Sequence, residues 1–341
     1  MIIRVCFFTE AGKQKALELF EKLHNFTPFY FEREKDDFKD WLSDSFRKHL
    51  PILFVGACGI AVREIAPFVK DKLSDSPVLV MDEKGEFIIP ILSGHMGGAN
   101  ELARIFSDAI SATSVITTAT DVRGKFSVDV FARLNGFNIA DKKSIAKVSK
   151  KVLSGEKIIM AVEDHIEIEA QDIPAEIELF RVSEWKRVND KKSVDVLVSD
   201  EEKIPNTLWL VPKHMVFGVG CKKGKTFEEL ENFWQANAKA ELAQLFGIFS
   251  IDIKKNETGL MEAAQFFHVP FITFSAEDLA KVEGEFCEST FVESKTGVSN
   301  VCERAAVLGS ENGKLIKSKT AENGMTLAVA YRKAKIIKWQ E

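Results

Sequence analysis

The chain has 341 residues, which is enough for two or three domains, and its 45% hydrophobic content can form a sizeable core. Lysine and arginine number 46 against 51 aspartates and glutamates, so the net charge of −5 excludes an overall basic field that would attract nucleic acid. The 27 phenylalanines are scattered without basic interleaving, which argues against a surface that stacks nucleic-acid bases. Any anionic ligand must therefore be held by local basic groups.

The first part of the chain alternates strand and helix patterns. IIRVCFFT predicts a buried strand, and AGKQKALELFEKL after it has helical periodicity. ILFVGACGI predicts a second strand, PVLVMDE and FIIPIL predict two strands around a turn at Lys84 and Gly85, and SVITTAT predicts a further β-branched strand. This alternation predicts an α/β fold with an open, mostly parallel sheet in an N-terminal domain, residues 1–136.

The pattern changes over residues 137–212, where only Gly155 interrupts short, highly charged strands such as KIIMAVE and SVDVLVS. We expect a smaller, separate α/β segment with a structural or partner-facing role. Glycine-bearing strands return in a C-terminal α/β domain, residues 213–341. Its predicted elements are a strand in MVFGVGCKKG, a helix in FEELENFWQANAKAELAQLF, a strand in IFSIDI with a helix from Glu257, a strand and helix in VPFITFS and AEDLAKV, a helix in GVSNVCERAAVLG, and a hairpin in KLIKSKTAENGMTLAVA.

The five cysteines, at positions 6, 58, 221, 287 and 302, show no CxxC pair and no histidine spacing typical of structural zinc. An odd and dispersed set favours a reducing cytoplasm, and Cys58 and Cys221 are interpreted as packing residues. The apolar start MIIRVCFF is too short for a signal sequence, and no apolar run reaches the roughly 18 residues of a membrane span. We therefore expect a cytoplasmic protein without a membrane partner.

The sequence ILSGHMGGANELA, residues 91–103, is the strongest candidate for a functional turn. Glycines at 94, 97 and 98 permit positive φ angles and close backbone approach, and a helix begins at or just before Asn100. Unpaired amides at such a helix start favour a carboxylate or phosphate. His95 lies inside the turn and is a candidate base. The alternative is an ordinary strand-to-helix turn with a packing histidine.

Ligands of open α/β sheets bind outside the carboxyl ends of the strands. We therefore expect one crevice to contain four polar turns, those at residues 56–59, 93–100, 117–121 and Thr9. Arg63 follows the first of these turns and is suited to holding a carboxylate through two hydrogen bonds. Arg104 is expected to form a surface ion pair.

The C-terminal domain offers two weaker candidates. GVGCKKG is one residue too long for the dinucleotide fingerprint, so we favour a turn that presents Lys222, Lys223 and Lys225 to a polyanion, with a solvated basic loop as the alternative. Lys254 and Glu257 lie where a strand turns into a helix, close enough to tune each other's pKa for proton transfer or simply to pair at the surface. The TGVSN turn, residues 296–300, offers hydroxyls and amides ahead of another helix.

Together these stretches resemble the CbiG family, the cobalt-precorrin-5A hydrolases of the cobalamin pathway that inserts cobalt early. The resemblance lies in GACGIAVREIAP, VMDEKGEFIIPILSGHMGGANELA, VITTATD, VFGVGCKKG, SIDIKKNETGL and VESKTGVSNVCERAA, in that order. The middle segment matches only in length and position. LSGHMGGAN and TTATD at this spacing are the most specific part of the match.

The resemblance implies that water opens the δ-lactone of a cobalt-bearing tetrapyrrole and that acetaldehyde is released. We expect His95, Glu257 and Lys254 to be catalytic, with the Gly97 and Gly98 amides as oxyanion donors. The expected substrate-binding residues are Gly56, Gly59, Arg63, Ser93, Gly94, Gly97, Gly98, Asn100, Thr118, Thr120, Asp121, Gly218, Gly220, Lys222, Ser299 and Glu303.

Cobalt arrives in the substrate, so no cofactor and no metal site made by the protein alone are predicted. Neighbouring methyltransferases of the pathway are the candidate partners, and the oligomeric state is left open. Two other functions compete with this one. One is a non-catalytic carrier of tetrapyrrole intermediates, and the other is a dinucleotide-dependent enzyme that binds its cofactor at Gly218 to Gly224.

Overall fold

The structure is a computed structural model that describes residues 1–32, 35–71, 74–187, 193–201, 204–288 and 290–340. The chain divides into two compact units, Met1–Val122 with Met261–His268, and Arg123–Leu260 with Val269–Glu341. Within the described ranges, no helix is both long and apolar enough to cross a membrane.

The first unit is built on a six-stranded sheet in the order β2-β1-β3-β4-β5-β6, in which every pairing is parallel except that of β4 with β5. This confirms the predicted open, mostly parallel sheet. The strands are β1 (Ile2–Phe7), β2 (Thr27–Tyr30), β3 (Ile52–Val55), β4 (Val78–Met81), β5 (Phe87–Leu92) and β6 (Thr113–Ser114). The helices are α1 (Glu10–Lys22), α2 (Phe38–Arg47), α3 (Cys58–Ile65), α4 (Ala99–Ile110) and α5 (Ala119–Val122).

Strand β3 shows why this sheet is covered on both faces. All four of its residues are buried, and successive side chains of a strand point to opposite faces. Leu53 and Val55 pack in a cluster with residues of α1 and α4, whereas Ile52 and Phe54 pack in a second cluster with residues of α2 and α3. Continuous apolar runs in the sequence therefore correspond to central strands.

Strands β4 and β5 form a hairpin around the predicted turn. The Asp82 carboxylate accepts hydrogen bonds from the amides of Lys84 (3.0 Å) and Phe87 (2.7 Å), and Gly85 adopts a φ of 70°. Because of this reversal, Leu92 at the end of β5 pairs with Val78 at the start of β4. The chain after β5 therefore leaves the sheet at the amino-terminal edge of β1, β3 and β4.

The prediction of a strand over residues 114–120 is wrong. Only Thr113 and Ser114 pair with β5, and the chain forms helix α5 from Ala119. The amide of Val122 donates to the carbonyl of Thr118, which begins this helical turn. Side-chain contacts of the polar residues in this segment, described below, outweigh the β propensity of its threonines.

The second unit contains two five-stranded sheets and a two-stranded one, ordered β10-β8-β11-β12-β7, β15-β14-β13-β17-β16 and β18-β9. Its strands are β7 (Phe137–Ile139), β8 (Ile158–Val162), β9 (Glu167–Ile168), β10 (Ile177–Arg181), β11 (Val196–Val198), β12 (Leu208–Pro212), β13 (Met215–Cys221), β14 (Leu245–Ile251), β15 (Phe271–Phe274), β16 (Leu315–Glu322), β17 (Met325–Tyr331) and β18 (Lys335–Ile336). Its helices are α6 (Val128–Leu134), α7 (Lys142–Leu153), α8 (Val182–Arg187), α9 (Phe227–Leu242), α10 (Thr258–Phe266, of which Met261–Phe266 belong to the first unit), α11 (Ala276–Ala280), α12 (Thr290–Thr296) and α13 (Cys302–Gly309).

The two larger sheets correspond to the predicted middle and C-terminal segments, because β7 to β12 lie within residues 137–212 and β13 to β17 follow them. The C-terminal tail returns to the middle segment, where β18 pairs in parallel with β9 and Asn135 accepts hydrogen bonds from the amides of Ile337 (2.7 Å) and Lys338 (3.2 Å). The compact units join residues 123–136 to this part of the chain. The three-domain division itself stays a prediction.

Gly218 and Gly220 were expected in a turn, but both lie within strand β13. A Cβ atom at Gly218 would lie 1.9 Å from the carbonyl oxygen of Cys302 and 2.5 Å from the amide nitrogen of Ala306. Gly218 therefore lets helix α13 pack directly on the strand, and this close packing explains the glycine without a ligand. At Gly220 a Cβ would lie 2.7 Å from the Thr326 hydroxyl.

Candidate active site

The predicted site residues of the first unit lie at two opposite edges of its sheet. Gly56 follows β3, and its amide donates to the carbonyl of Met81 at the end of β4 (2.8 Å). Ser93 follows the reversed strand β5, and its hydroxyl donates to the carbonyl of Asp75, just before the start of β4 (2.8 Å). Since β4 alone rises about 10 Å between these edges, the expectation of one shared crevice is wrong.

At the carboxyl edge of β1 and β3 lie Gly56, Gly59, Arg63 and Thr9. Gly59 and Arg63 are exposed on helix α3, and Thr9 caps α1 by accepting a hydrogen bond from the amide of Gly12. Gly56 has a φ of 151°, and a Cβ there would lie 3.2 Å from the Phe8 ring. The structure therefore does not bring these residues together with His95.

The glycine turn before α4 is closed by its own hydrogen bonds. The amides of Gly98, Ala99 and Asn100 donate to the carbonyls of His95 (3.1 Å), Ser93 (3.2 Å) and Gly94 (3.0 Å), respectively. The predicted role of the Gly98 amide as an oxyanion donor is therefore wrong, because that amide is already bonded. The Gly97 amide stays a candidate.

The glycines of this turn are required by packing within it. A Cβ at Gly94 would lie 2.6 Å from the Asn100 side-chain oxygen, and one at Gly97 would lie 2.7 Å from the Ser93 Cβ. Gly98 is the residue before helix α4 and has a φ of 80°. The turn thus folds tightly over Asn100, which is only 3% exposed.

This turn places His95 against Asp121 from helix α5. The Nε2 atom of His95 lies 2.7 Å from Asp121 Oδ2 and 3.3 Å from the Thr120 hydroxyl, and the His95 and Asp121 side chains are 15% and 14% exposed. An ionised carboxylate only accepts hydrogen bonds, so Nε2 carries the proton that it donates. In the neutral ring the lone pair is then on Nδ1, the atom that would accept a proton.

Asp121 is held by two further donors from α4. The side-chain amide of Asn100 donates to Asp121 Oδ2 (3.2 Å) and to the Thr118 hydroxyl (3.0 Å), and the Arg104 guanidinium donates to Asp121 Oδ1. Burial raises the pKa of Asp121, but the hydrogen bonds and charges of His95 and Arg104 outweigh it and lower the pKa below its usual value. Asp121 is therefore a carboxylate at neutral pH.

Sequence reasoning assigned Asp121 to substrate binding and expected Arg104 to form a surface pair. The structure instead makes Asp121 the partner of His95 and places Arg104, 39% exposed, against the same carboxylate. The sequence contained a signal for this contact, because Asn100 and Arg104 are four residues apart on one helix and share a face. Thr118, Thr120 and Asn100 do lie beside His95, as the prediction of a shared site required.

In the second unit, Lys254 and Glu257 form the predicted pair. Lys254 Nζ lies 2.9 Å from Glu257 Oε1, and Glu257 Oε2 accepts a hydrogen bond from the amide of Gly224 (3.0 Å). Burial raises the pKa of Glu257, but the hydrogen bonds from Lys254 and Gly224, with the charges of Lys254 and Lys223, lower it overall. Glu257 thereby anchors the basic loop on which Lys222 and Lys223 are exposed.

Glu303 lies buried where three segments of the chain meet. It is 1% exposed, and its carboxylate accepts hydrogen bonds from the amides of Cys287 (2.9 Å) and Lys319 (2.7 Å) and from the side chain of Asn300 (2.7 Å). Its oxygens join three segments of the chain, which favours a structural role, and contact with substrate stays an untested prediction. Ser299, half-buried in the preceding turn, stays a candidate.

Comparison with known proteins identifies the family. Residues 40–121 match the family model for cobalamin synthesis G N-terminal, and residues 215–330 match the model for cobalamin synthesis G C-terminus. The cobalt-precorrin-5A hydrolase of Salmonella typhimurium is 34% identical over 304 residues, covering 86% of this chain and 85% of that protein. The cobalt-precorrin-5A hydrolase of Priestia megaterium is 30% identical over 306 residues, with coverages of 85% and 80%.

A solved cobalamin biosynthesis protein G homologue from Sulfolobus solfataricus is 22% identical, covers 97% of this chain and 96% of its own, and superimposes with a TM-score of 0.44. The N-terminal family match contains both His95 and Asp121, and the C-terminal match contains Lys254 and Glu257. From the two family models and the two curated relatives, this chain belongs to the CbiG family.

Proposed function

We propose that this chain is a cobalt-precorrin-5A hydrolase, which opens the δ-lactone of a cobalt-bearing, ring-contracted tetrapyrrole and releases acetaldehyde. Its relatives of that name align over most of their length. The structural observation that carries the proposal is the contact between His95 and Asp121 inside the glycine turn (2.7 Å). A histidine oriented by a half-buried carboxylate is suited to general-base activation of water.

In the first step, His95 takes a proton from water at Nδ1 as the water oxygen attacks the lactone carbonyl. Asp121 accepts a hydrogen bond from the Nε2–H group throughout, so it fixes the tautomer and stabilises the imidazolium that forms. Arg104 holds the carboxylate at Oδ1, and Asn100 donates to Oδ2 beside His95. The tetrahedral oxyanion needs a donor, for which the amide of Gly97 is the remaining candidate in the turn.

In the second step, the lactone carbon–oxygen bond breaks, and the leaving oxygen receives the proton from His95. The hydroxyl formed in this way then gives its proton back to His95 while the adjacent carbon–carbon bond breaks. The electron pair of that bond stays on the macrocycle, which takes up a proton, and the extruded carbon leaves with its methyl group as acetaldehyde. One water enters and one acetaldehyde leaves, so no electron donor or acceptor is needed.

The substrate carries many acetate and propionate groups, whereas the chain has a net charge of −5. Local cations must therefore hold it, and Lys222 stays a predicted substrate contact. The cobalt is already bound in the substrate, and the proposed reaction needs no cofactor from the protein. A cytoplasmic location and contacts with pathway methyltransferases stay predictions.

The test is an anaerobic assay of the purified protein with cobalt-precorrin-5A, in which released aldehyde is trapped and the product mass is recorded. We expect acetaldehyde from the wild type and a loss of about 10²- to 10⁴-fold in kcat/KM for His95→Ala. His24→Ala is the matched control, because His24 is exposed and outside the site. Tight binding without aldehyde would favour the carrier function, and normal turnover by His95→Ala would remove the base assignment.

A further inference from the structure

A second group of ligand-type side chains lies in the middle segment and shares no residue with the site above. It consists of His165, Asp200 and Glu201, each of which offers one ligand atom, with all three atoms within 4.8 Å of one another. His165 lies in the turn after β8, and the two carboxylates follow β11. These neighbouring strands are parallel, so their carboxyl ends bring the three residues to the same edge of the sheet.

The separation of two of these atoms is informative. His165 Nε2 lies 3.3 Å from Asp200 Oδ1. A direct hydrogen bond between a charged donor and a carboxylate is usually about 2.7–2.9 Å long. Two ligands of a tetrahedral metal ion with bonds of about 2.0–2.1 Å lie about 3.3–3.4 Å apart. The observed distance therefore matches the separation of two ligands on one tetrahedral ion.

Asp200 is held in position by a buried histidine. His214 is 3% exposed, and its Nδ1 lies 2.8 Å from the carbonyl of Arg332 while its Nε2 lies 2.9 Å from Asp200 Oδ2. Both ring nitrogens of His214 are thus engaged, one by a carbonyl and the other by the Asp200 carboxyl group. The ring also stacks on Tyr331, with centroids 4.8 Å apart.

The consequence for Asp200 is a fixed orientation. Its Oδ2 is engaged by His214, which leaves Oδ1 on the side of His165. Carboxylates that ligate metals are typically held by an outer hydrogen bond of this kind. The backbone next to Glu201 is fixed as well, because its amide donates to the Ser199 hydroxyl (3.1 Å), which itself donates to Glu163 (2.8 Å).

We propose that His165, Asp200 and Glu201 bind a divalent transition-metal ion, with Zn²⁺ the ion best suited to one imidazole and two carboxylates. From the sequence, no metal site made by the protein was predicted because the cobalt arrives in the substrate, and no spacing motif marks His165 and Asp200. Three protein ligands leave one tetrahedral position for water. The ion joins the turns after β8 and β11, and it is distinct from the cobalt that the substrate carries.

The experiment is a titration of the EDTA-dialysed, full-length protein with ZnCl₂ by isothermal calorimetry. We expect one equivalent of Zn²⁺ to bind the wild type, and an affinity at least tenfold weaker for His165→Ala and for Glu201→Gln. Both residues are exposed, so these variants should fold, and circular dichroism checks that they do. Asp200→Asn is less suitable, since it also removes the partner of His214.

His24→Ala is the matched control, because it removes an exposed histidine of the first unit and should bind Zn²⁺ as the wild type does. Replacing Zn²⁺ by Co²⁺ gives a second readout. The visible absorption bands of tetrahedrally coordinated Co²⁺ should appear in the wild type and be lost in His165→Ala. The proposal is overturned if the wild type binds no Zn²⁺, or if His165→Ala binds it unchanged.

Discussion

Replacing Asp121 by asparagine tests the histidine–carboxylate pair most directly. The substitution preserves the shape of the side chain but turns one acceptor oxygen into an NH₂ donor. Oδ1 faces Arg104, and Oδ2 faces His95 and Asn100, so in either orientation the new NH₂ group meets an existing donor. If it faces His95, the ring must take the other tautomer, in which Nδ1 is protonated and no longer accepts a proton from water.

The expected losses in activity and in stability differ. Loss of general-base catalysis should lower kcat/KM by about 10²- to 10⁴-fold, which corresponds to about 3–5 kcal/mol in the barrier. Arg104 is 39% exposed, so its pair with Asp121 contributes at most about 1 kcal/mol to folding. The more buried contacts with His95 and Asn100 add about 1–3 kcal/mol. The variant should therefore remain folded, given the usual stability of about 5–15 kcal/mol.

The assay is acetaldehyde release with cobalt-precorrin-5A, combined with urea unfolding of the same preparations. Asp108→Asn is the matched control, because Asp108 is an exposed aspartate on the same helix as Arg104. The control should retain wild-type activity. A folded Asp121→Asn protein with more than a third of the wild-type kcat/KM would refute the assignment of Asp121 as the residue that orients His95.

Three further predictions concern stability. Gly218→Ala should lower the free energy of unfolding, measured with urea, by about 3 kcal/mol or more, because the new Cβ would lie 1.9 Å from the backbone of α13. Gly59→Ala on the exposed helix α3 is the control and should raise this free energy by about 0.5–1 kcal/mol, because no neighbour lies nearer than 3.9 Å. Equal effects of the two substitutions would contradict the packing argument. Glu303→Gln should lower the free energy of unfolding by about 1–3 kcal/mol, because the new NH₂ group would face a buried amide donor. An unchanged melting temperature would exclude a stabilising role for the Glu303 carboxylate. The pKa of Asp121 is lower in the folded state than its usual value of 3.8, so in this range the folded state binds fewer protons than the unfolded state. The contribution of the Asp121 carboxylate to the free energy of unfolding is therefore complete above pH 3.8 and is lost as the pH falls through the pKa of the folded state. Unfolding free energies measured from pH 6 down to about 3 should show this loss in the wild type and a smaller one in Asp121→Asn.

Most strands of the fold could be predicted from sequence because burial on both faces leaves a continuous apolar run. The segments ILFV in β3 and VLVM in β4 are fully buried, as their composition indicates. SVITTAT failed because its β-branched residues have polar partners. Thr118 bonds with Asn100, and Thr120 and Asp121 contact His95, so contacts with the glycine turn determine the local structure.

The location of the site was the larger error, and its cause is topological. The rule that ligands bind at the carboxyl ends of strands places all four polar turns at one edge only if all strands run the same way. The hairpin at Lys84 and Gly85 reverses β5, and β6 runs parallel to β5. The turns after these two strands therefore share one edge, which separates His95 and Asp121 from Gly56 and Arg63. The predicted hairpin already contained this information.

The chemistry also divides the predicted catalytic residues between two roles. An ordinary imidazole has a pKa of about 6.5, about two units above that of an ordinary glutamate, and each unit corresponds to about 1.4 kcal/mol in proton affinity. Burial raises the pKa of Glu257, but Lys254 and the Gly224 amide lower it overall, so Glu257 is a weaker base than an ordinary glutamate. Glu257 is thus a poor base, but a permanent carboxylate is well suited to anchoring a loop of lysines. We therefore keep proton transfer with His95 in the proposed mechanism, and assign Glu257 to the anchoring of the lysine loop.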